Sequence, residues 1–123
     1  MMERAAPLAD LRVLVVEDNY FIATEMCRAL RAAGAEIVGP ARDLETGRGA
    51  IRDERIDCAV LDINLHGLMA FQLATQLRAR GIPAIFATGY DASVLPDELA
   101  DAILLEKPVD MTALCRAIAT SCS

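Results

Sequence analysis

The sequence predicts a doubly wound α/β fold, a parallel five-stranded sheet with crossover helices on both faces, and three observations carry that reading. Short runs rich in Val and Ile alternate five times with segments at helical spacing. Two of those runs, 12–17 and 56–62, have apolar interiors without alternation, as strands covered on both faces do. The 123 residues, 54% of them apolar, suffice for one core and one domain.

Residues 12–17 read as the first buried strand. The helix after it, 20–33, repeats Ile22, Met26 and Leu30 every four residues, and Gly34 closes it. A shorter, weaker strand over 36–39 precedes a helix capped by Asp43 that runs to about Glu54. Gly47 and Gly49 each cost that helix roughly 1 kcal/mol relative to Ala, so it is expected to be the softer one. The second central strand covers 56–62. A Gly-bearing loop over 64–67 leads into a helix over 68–80 with Ala70, Ala74 and Leu77 on one stripe. The fourth strand, 82–88, carries Pro83 near its start, where a missing N–H costs least. Residues 91–101 make a poor helix, because Pro96 interrupts it after barely one turn, and a short or mobile segment is expected. The fifth strand is 103–106. Asp110 then caps an amphipathic helix with Met111, Leu114, Cys115 and Ile118 facing the core. Residues 1–10 are read as an N-terminal extension and 11–123 as the domain.

The formal net charge is −6 and no basic run interrupts the acidic balance, which argues against docking on nucleic acid or anionic lipid. Apolar runs are far shorter than the ~18 residues of a membrane span, and the start has no signal pattern, so a soluble cytoplasmic protein is expected. Cys27, Cys58, Cys115 and Cys122 lie far apart, without pairing or metal spacing, and one histidine supplies a zinc site poorly. They read most simply as small buried hydrophobes in a reducing compartment, ahead of redox or metal roles.

In such a sheet the ligand site lies beyond the carboxyl ends of the strands. There the first strand ends in Glu17-Asp18, the third in Asp62, the fourth in Thr88-Gly89 and the fifth in Lys107-Pro108. Gathered carboxylates repel by roughly 4 kcal/mol per close pair at an effective dielectric near 20, so the cluster needs a cation or raised pKa values. Oxygen ligands from Asp18, Asp62 and a nearby carbonyl suit Mg²⁺ better than zinc. The plainer reading is that Glu17 and Asp18 merely cap the first helix. Beside Mg²⁺ and a lysine, Asp62 can act as a nucleophile toward phosphorus, giving an aspartyl phosphate, while Lys107 neutralises the incoming oxygens. A structural Asp62–Lys107 ion pair is the alternative, and it leaves Asp18 and Thr88 unexplained.

Glu17-Asp18, Asp62, Thr88 and Lys107-Pro108, spaced through a five-unit β/α chain, resemble the receiver domain of two-component response regulators over essentially the whole sequence. Phe86-Ala87-Thr88-Gly89-Tyr90 and Leu61-Asp62-Ile63-Asn64-Leu65 look, more narrowly, like the "FATGUY" receivers known chiefly from alphaproteobacteria. The resemblance implies a flavodoxin-like (βα)5 sheet of order 2-1-3-4-5. It implies that Asp62 accepts phosphate from a sensor histidine kinase or a histidine phosphotransfer protein, that Glu17 and Asp18 hold Mg²⁺ with Asp62, and that the carbonyl of Asn64 is a further ligand. Thr88 and Lys107 would grip the phosphoryl group, Gly89 would leave its approach open, and Pro108 would follow a cis peptide that aims the ammonium. A protein partner is expected on the face of the fourth helix, fifth strand and fifth helix, and a homodimer is left open.

Two positions depart from the family. Leu104 stands where most receivers carry a Phe or Tyr switch ring, so no aromatic can rotate there; Tyr90 is the aromatic that could respond with Thr88 instead, though it reads nearly as well as an ordinary loop residue. The loop Asn64-Leu65-His66-Gly67 lacks the Met-Pro of many receivers, and His66 reads as solvent-facing. Because the chain ends soon after its last helix, a stand-alone, non-enzymatic receiver without an output domain is expected, with an excised piece of a hybrid kinase left open. Three rivals stay on the page. A phosphorylation-independent interaction module would share the shape. A small Mg-dependent phosphatase of the haloacid-dehalogenase kind would want an acid where Asn64 stands. A flavin binder would be repelled by Glu17-Asp18.

Overall fold

Side chains alternate across a strand, so a sheet covered on both faces sorts its apolar residues into two layers. The computed structural model describes residues 6–65, 68–89, 95–99 and 101–122. Among them β1 (Arg12–Val16), β2 (Glu36–Ala41), β3 (Cys58–Asp62), β4 (Ala84–Thr88) and β5 (Ile103–Glu106) form one parallel sheet in the order β2-β1-β3-β4-β5. This is the order expected. Leu14, Val16, Ala59, Leu61 and Phe86 pack on one face with α2 (Leu44–Asp53) and α3 (Phe71–Ala79). Val13, Val15, Cys58, Val60 and Ile85 pack on the other with α1 (Tyr20–Ala32) and α4 (Met111–Ser121). All of β3 is buried, whereas β5, at the sheet edge, has none of its four residues fully covered.

The predicted caps at Asp43 and Asp110 form, and Asn19, rather than Glu17 or Asp18, caps the first helix with its side chain. Asn19 Oδ1 accepts from Ile22 N at 3.0 Å to start α1, Asp43 Oδ1 accepts from Thr46 N at 2.8 Å to start α2, and Asp110 Oδ1 accepts from Thr112 N and Ala113 N to start α4. Gly34, at φ +105, follows α1 in a conformation that L side chains rarely adopt, and an added Cβ would lie 2.6 Å from Ala6 Cβ. Leu8, in the stretch ahead of β1, is fully buried, and its N–H donates to Ala33 O at the end of α1.

Several boundaries differ from the expectation. β2 runs on to Ala41 through the cis Gly39–Pro40 peptide, and its register against β1 shifts between Leu14 and Val16. An edge strand tolerates this proline because its missing N–H leaves no gap inside the sheet. β3 begins at Cys58 rather than at 56, and β4 at Ala84 rather than at 82. The third helix begins at Phe71 rather than at 68, because Asn64–Leu65 and Leu68–Met69 pair as a short antiparallel ribbon and Ala70 N donates to Ile63 O. Ala70, Ala74 and Leu77 are nonetheless buried together. His66, Gly67, residues 90–94 and Ala100 lie outside the described residues. The described part of the poor helix is a single 3-10 turn, Asp97–Leu99, directly after Pro96. No helix among the described residues is long and apolar enough to cross a membrane.

The two glycines of α2 differ in what surrounds them. Gly47 is buried, and a Cβ there would stand 2.9 Å from Leu73 Cδ1, so its absence is what lets α2 sit close to α3. Gly49 has no such duty, since a Cβ would meet only the flexible end of Arg52 at 3.6 Å. Gly49→Ala is therefore expected to raise the unfolding free energy by about 1 kcal/mol, read as a higher urea midpoint at unchanged slope. Gly47→Ala should gain less than Gly49→Ala, or lose, because Leu73 must move.

Candidate functional site

The carboxyl edge of the sheet is where the polar strand ends meet. Glu17 leaves β1 with its N–H on Ala41 O at 2.9 Å, an extension of the β1–β2 pairing that carries its side chain into full burial. Its Oε2 accepts from Asn19 N at 3.1 Å, so the residue that caps α1 with its side chain also steadies Glu17 with its backbone. Asp62 ends β3 opposite Ala87 and is 6% exposed. Its Oδ1 accepts from Asn64 N at 3.1 Å, and its Oδ2 from Lys107 Nζ at 3.0 Å. Thr88 ends β4, fully buried, and its carbonyl accepts from Lys107 N at 2.8 Å, one step beyond the last β4–β5 pair. That bond ties the backbone of the lysine to the strand beside Asp62.

Lys107 Nζ stands between two carboxylates, 3.0 Å from Asp62 Oδ2 and 2.9 Å from Glu17 Oε1. The Lys107–Pro108 peptide is cis. Burial pushes the Glu17 carboxyl well above the ordinary carboxylate range; Lys107 and the Asn19 N–H pull it back, and the Asp62 charge adds to the rise. Burial disfavours the Lys107 ammonium, but the carboxylates of Glu17 and Asp62 beside it outweigh that and raise its pKa. Glu17 Oε1, although close to Nζ, has no aligned hydrogen-bond partner. It is a buried oxygen with charge nearby and a lone pair to spare.

Glu17, Asp18 and Asp62 each present an oxygen, and these oxygens lie within 4.8 Å of one another. One ammonium against three carboxylates leaves an excess of negative charge. A hard divalent cation fits the donor set, which is all oxygen, and fits the buried Glu17 Oε1, which meets charge at Lys107 but makes no aligned hydrogen bond. Gly89 follows Thr88, and a Cβ on it would meet no atom of the described residues within 4 Å. Leu104 pairs with Phe86 and packs half-buried against the core, consistent with an aliphatic residue at the usual ring position. Tyr90 lies outside the described residues.

Response regulator receiver domains match the chain over residues 13–119. The chain belongs to this family. LytT of Bacillus subtilis is 32% identical over 104 residues, which span 81% of this receiver and 43% of LytT. The solution structure of SdrG from Sphingomonas melonis is 31% identical with a TM-score of 0.79, covering 94% of this chain and 97% of SdrG. A CheY-like receiver from Methanospirillum hungatei is 28% identical with a TM-score of 0.78, covering 89% and 91%. The receiver spans less than half the length of the curated relatives it matches.

Two neighbours of the site went unread in the sequence. Asn19 was legible in principle, as an N-cap residue directly after the acid pair. Arg42, whose guanidinium lies 5.3 Å from the Tyr20 ring, had no signal, because only the pairing of β1 with β2 brings it to this rim. The charge excess yields a prediction. Mg²⁺ at ten times its dissociation constant should stabilise the protein by about 1.4 kcal/mol, seen as a higher thermal midpoint, and Asp18→Asn should abolish that shift while leaving the metal-free protein folded.

Proposed function

We propose that this receiver accepts a phosphoryl group on Asp62 from a histidine kinase or a histidine phosphotransfer protein, in a Mg²⁺-dependent reaction, and that the phosphoryl group changes a protein-binding surface. The observation that supports this most is Lys107 Nζ bridging Asp62 and Glu17, an ammonium already poised beside a nearly buried carboxylate at a strand end. Glu17, Asp18, Asp62 and the backbone carbonyl of Asn64 would hold the metal. When bound, Mg²⁺ supplies positive charge to offset that of the transferring phosphoryl oxygens.

Asp62 attacks phosphorus in line with the donor's P–N bond, so an O–P bond forms as the imidazole departs. The Asn64 N–H fixes one carboxylate oxygen, which leaves the other to react. Lys107 exchanges its carboxylate contact for a phosphoryl oxygen. The Thr88 hydroxyl then donates to a phosphoryl oxygen, and Thr88 O, held by Lys107 N, passes the shift toward β5 and α4. With Leu104 in place of a ring, the response would run through Thr88 and Tyr90.

Acetyl phosphate with Mg²⁺ should label the wild type once per chain, and Asp62→Asn or chelation of the metal should abolish the label. Unchanged labelling of Asp62→Asn would end this reading. Thr88→Ala should still be labelled, but the change in amide exchange that phosphorylation causes in β5 and α4 of the wild type should disappear.

A further inference from the structure

Phosphoryl transfer uses none of the four cysteines, all of which fall in the layer that α1 and α4 form against the sheet. Cys58 opens β3 and is fully buried; Cys122 is the half-buried C-cap of α4. Crossover helices run antiparallel to their strands, so the last turn of α4 returns to the amino edge of the sheet, opposite Asp62. There Cys122 Sγ donates to the carbonyl of Asp57, the residue before Cys58, at 3.5 Å. Cys58 and Cys122 pack in the same apolar layer, so this bond brings Cys122 Sγ to the peptide that joins Asp57 to Cys58. Cys115, earlier on α4, turns instead toward Ala29 O of α1.

We infer that Cys58 and Cys122 form an oxidative modification site, at which a low-molecular-weight disulfide converts the two thiols into an intramolecular disulfide that ties the end of α4 to β3. Cys122 is the point of entry, being half-buried at a helix terminus, where last turns fray. Its thiolate attacks one sulfur of the reagent, forming a mixed disulfide and releasing one thiolate that takes up a proton. Cys58 then loses its proton and attacks Cys122 Sγ, expelling the second reagent thiol. Two S–H bonds and the reagent S–S bond are lost, one protein S–S bond is gained, and two electrons pass to the reagent, which leaves as two thiols. Burial raises the pKa of both cysteines, Cys58 the more strongly. The first attack therefore falls to Cys122, and the reaction is slow.

The whole protein incubated with oxidised glutathione, alkylated and digested without reductant should give a linked Cys58–Cys122 peptide and lose two of its four free thiols. Its thermal midpoint should rise, because the bridge closes about half the chain into a loop, and dithiothreitol should reverse both effects. Cys122→Ser, a change at a half-buried helix end, should keep all its remaining thiols. Four free thiols in oxidised wild type, a Cys27–Cys115 bridge, a covalent dimer, or stable glutathione on Cys122 beside a free Cys58 would each overturn the inference.

Discussion

Three carboxylates within a few ångströms of one another, at the edge of a sheet whose interior excludes water, are the constraint around which this molecule is arranged. Each close pair repels by roughly 4 kcal/mol at an effective dielectric near 20, and burial makes the Glu17 charge more costly still. One ammonium, from the far end of the sheet, offsets part of that by bridging Glu17 and Asp62. The arrangement works only because β1, β3, β4 and β5 lie side by side: in another order, the lysine that follows β5 would not reach the glutamate that follows β1.

The same order grades the rigidity of the site. Asp62 closes a strand buried along its whole length, and Glu17 is locked by backbone bonds to Ala41 and Asn19. Toward β5 the cover thins, with Ile103 and Glu106 exposed and Leu104 and Leu105 half-covered. Thr88 and Lys107 stand at the boundary between the two regimes, joined through the bond from Lys107 N to Thr88 O. The well-packed centre of the site is thus joined by a backbone hydrogen bond to the thinly covered β5 edge. At the opposite edge, the end of α4 is held to the backbone just ahead of β3 through Cys122.

Much of the fold was legible because its signals are local. Val and Ile runs without alternation mark β1 and β3, and Asn19, Asp43 and Asp110 behave as cap residues because the bond each makes spans three residues or fewer. The errors came where partners are distant. Gly47 read as a weakness until Leu73 was found across from it. The start of α3 was set by pairing within the 64–69 ribbon rather than by helical spacing, and Pro40 continued β2 because the strand lies at an edge.

By itself the sequence determined the five-unit alternation, the family, and which residue types stand at the strand ends, since each depends on composition and spacing along the chain. Tertiary structure alone decided that Lys107 bridges Glu17 as well as Asp62, that the Glu17 side chain is fully buried, and that Cys122 reaches the backbone just ahead of Cys58. Contacts of that kind join residues far apart in the chain, and their existence depends on strand order, register and the angle at which a helix returns. Those quantities are set by the packing of all the elements at once, and no short stretch of residues encodes them.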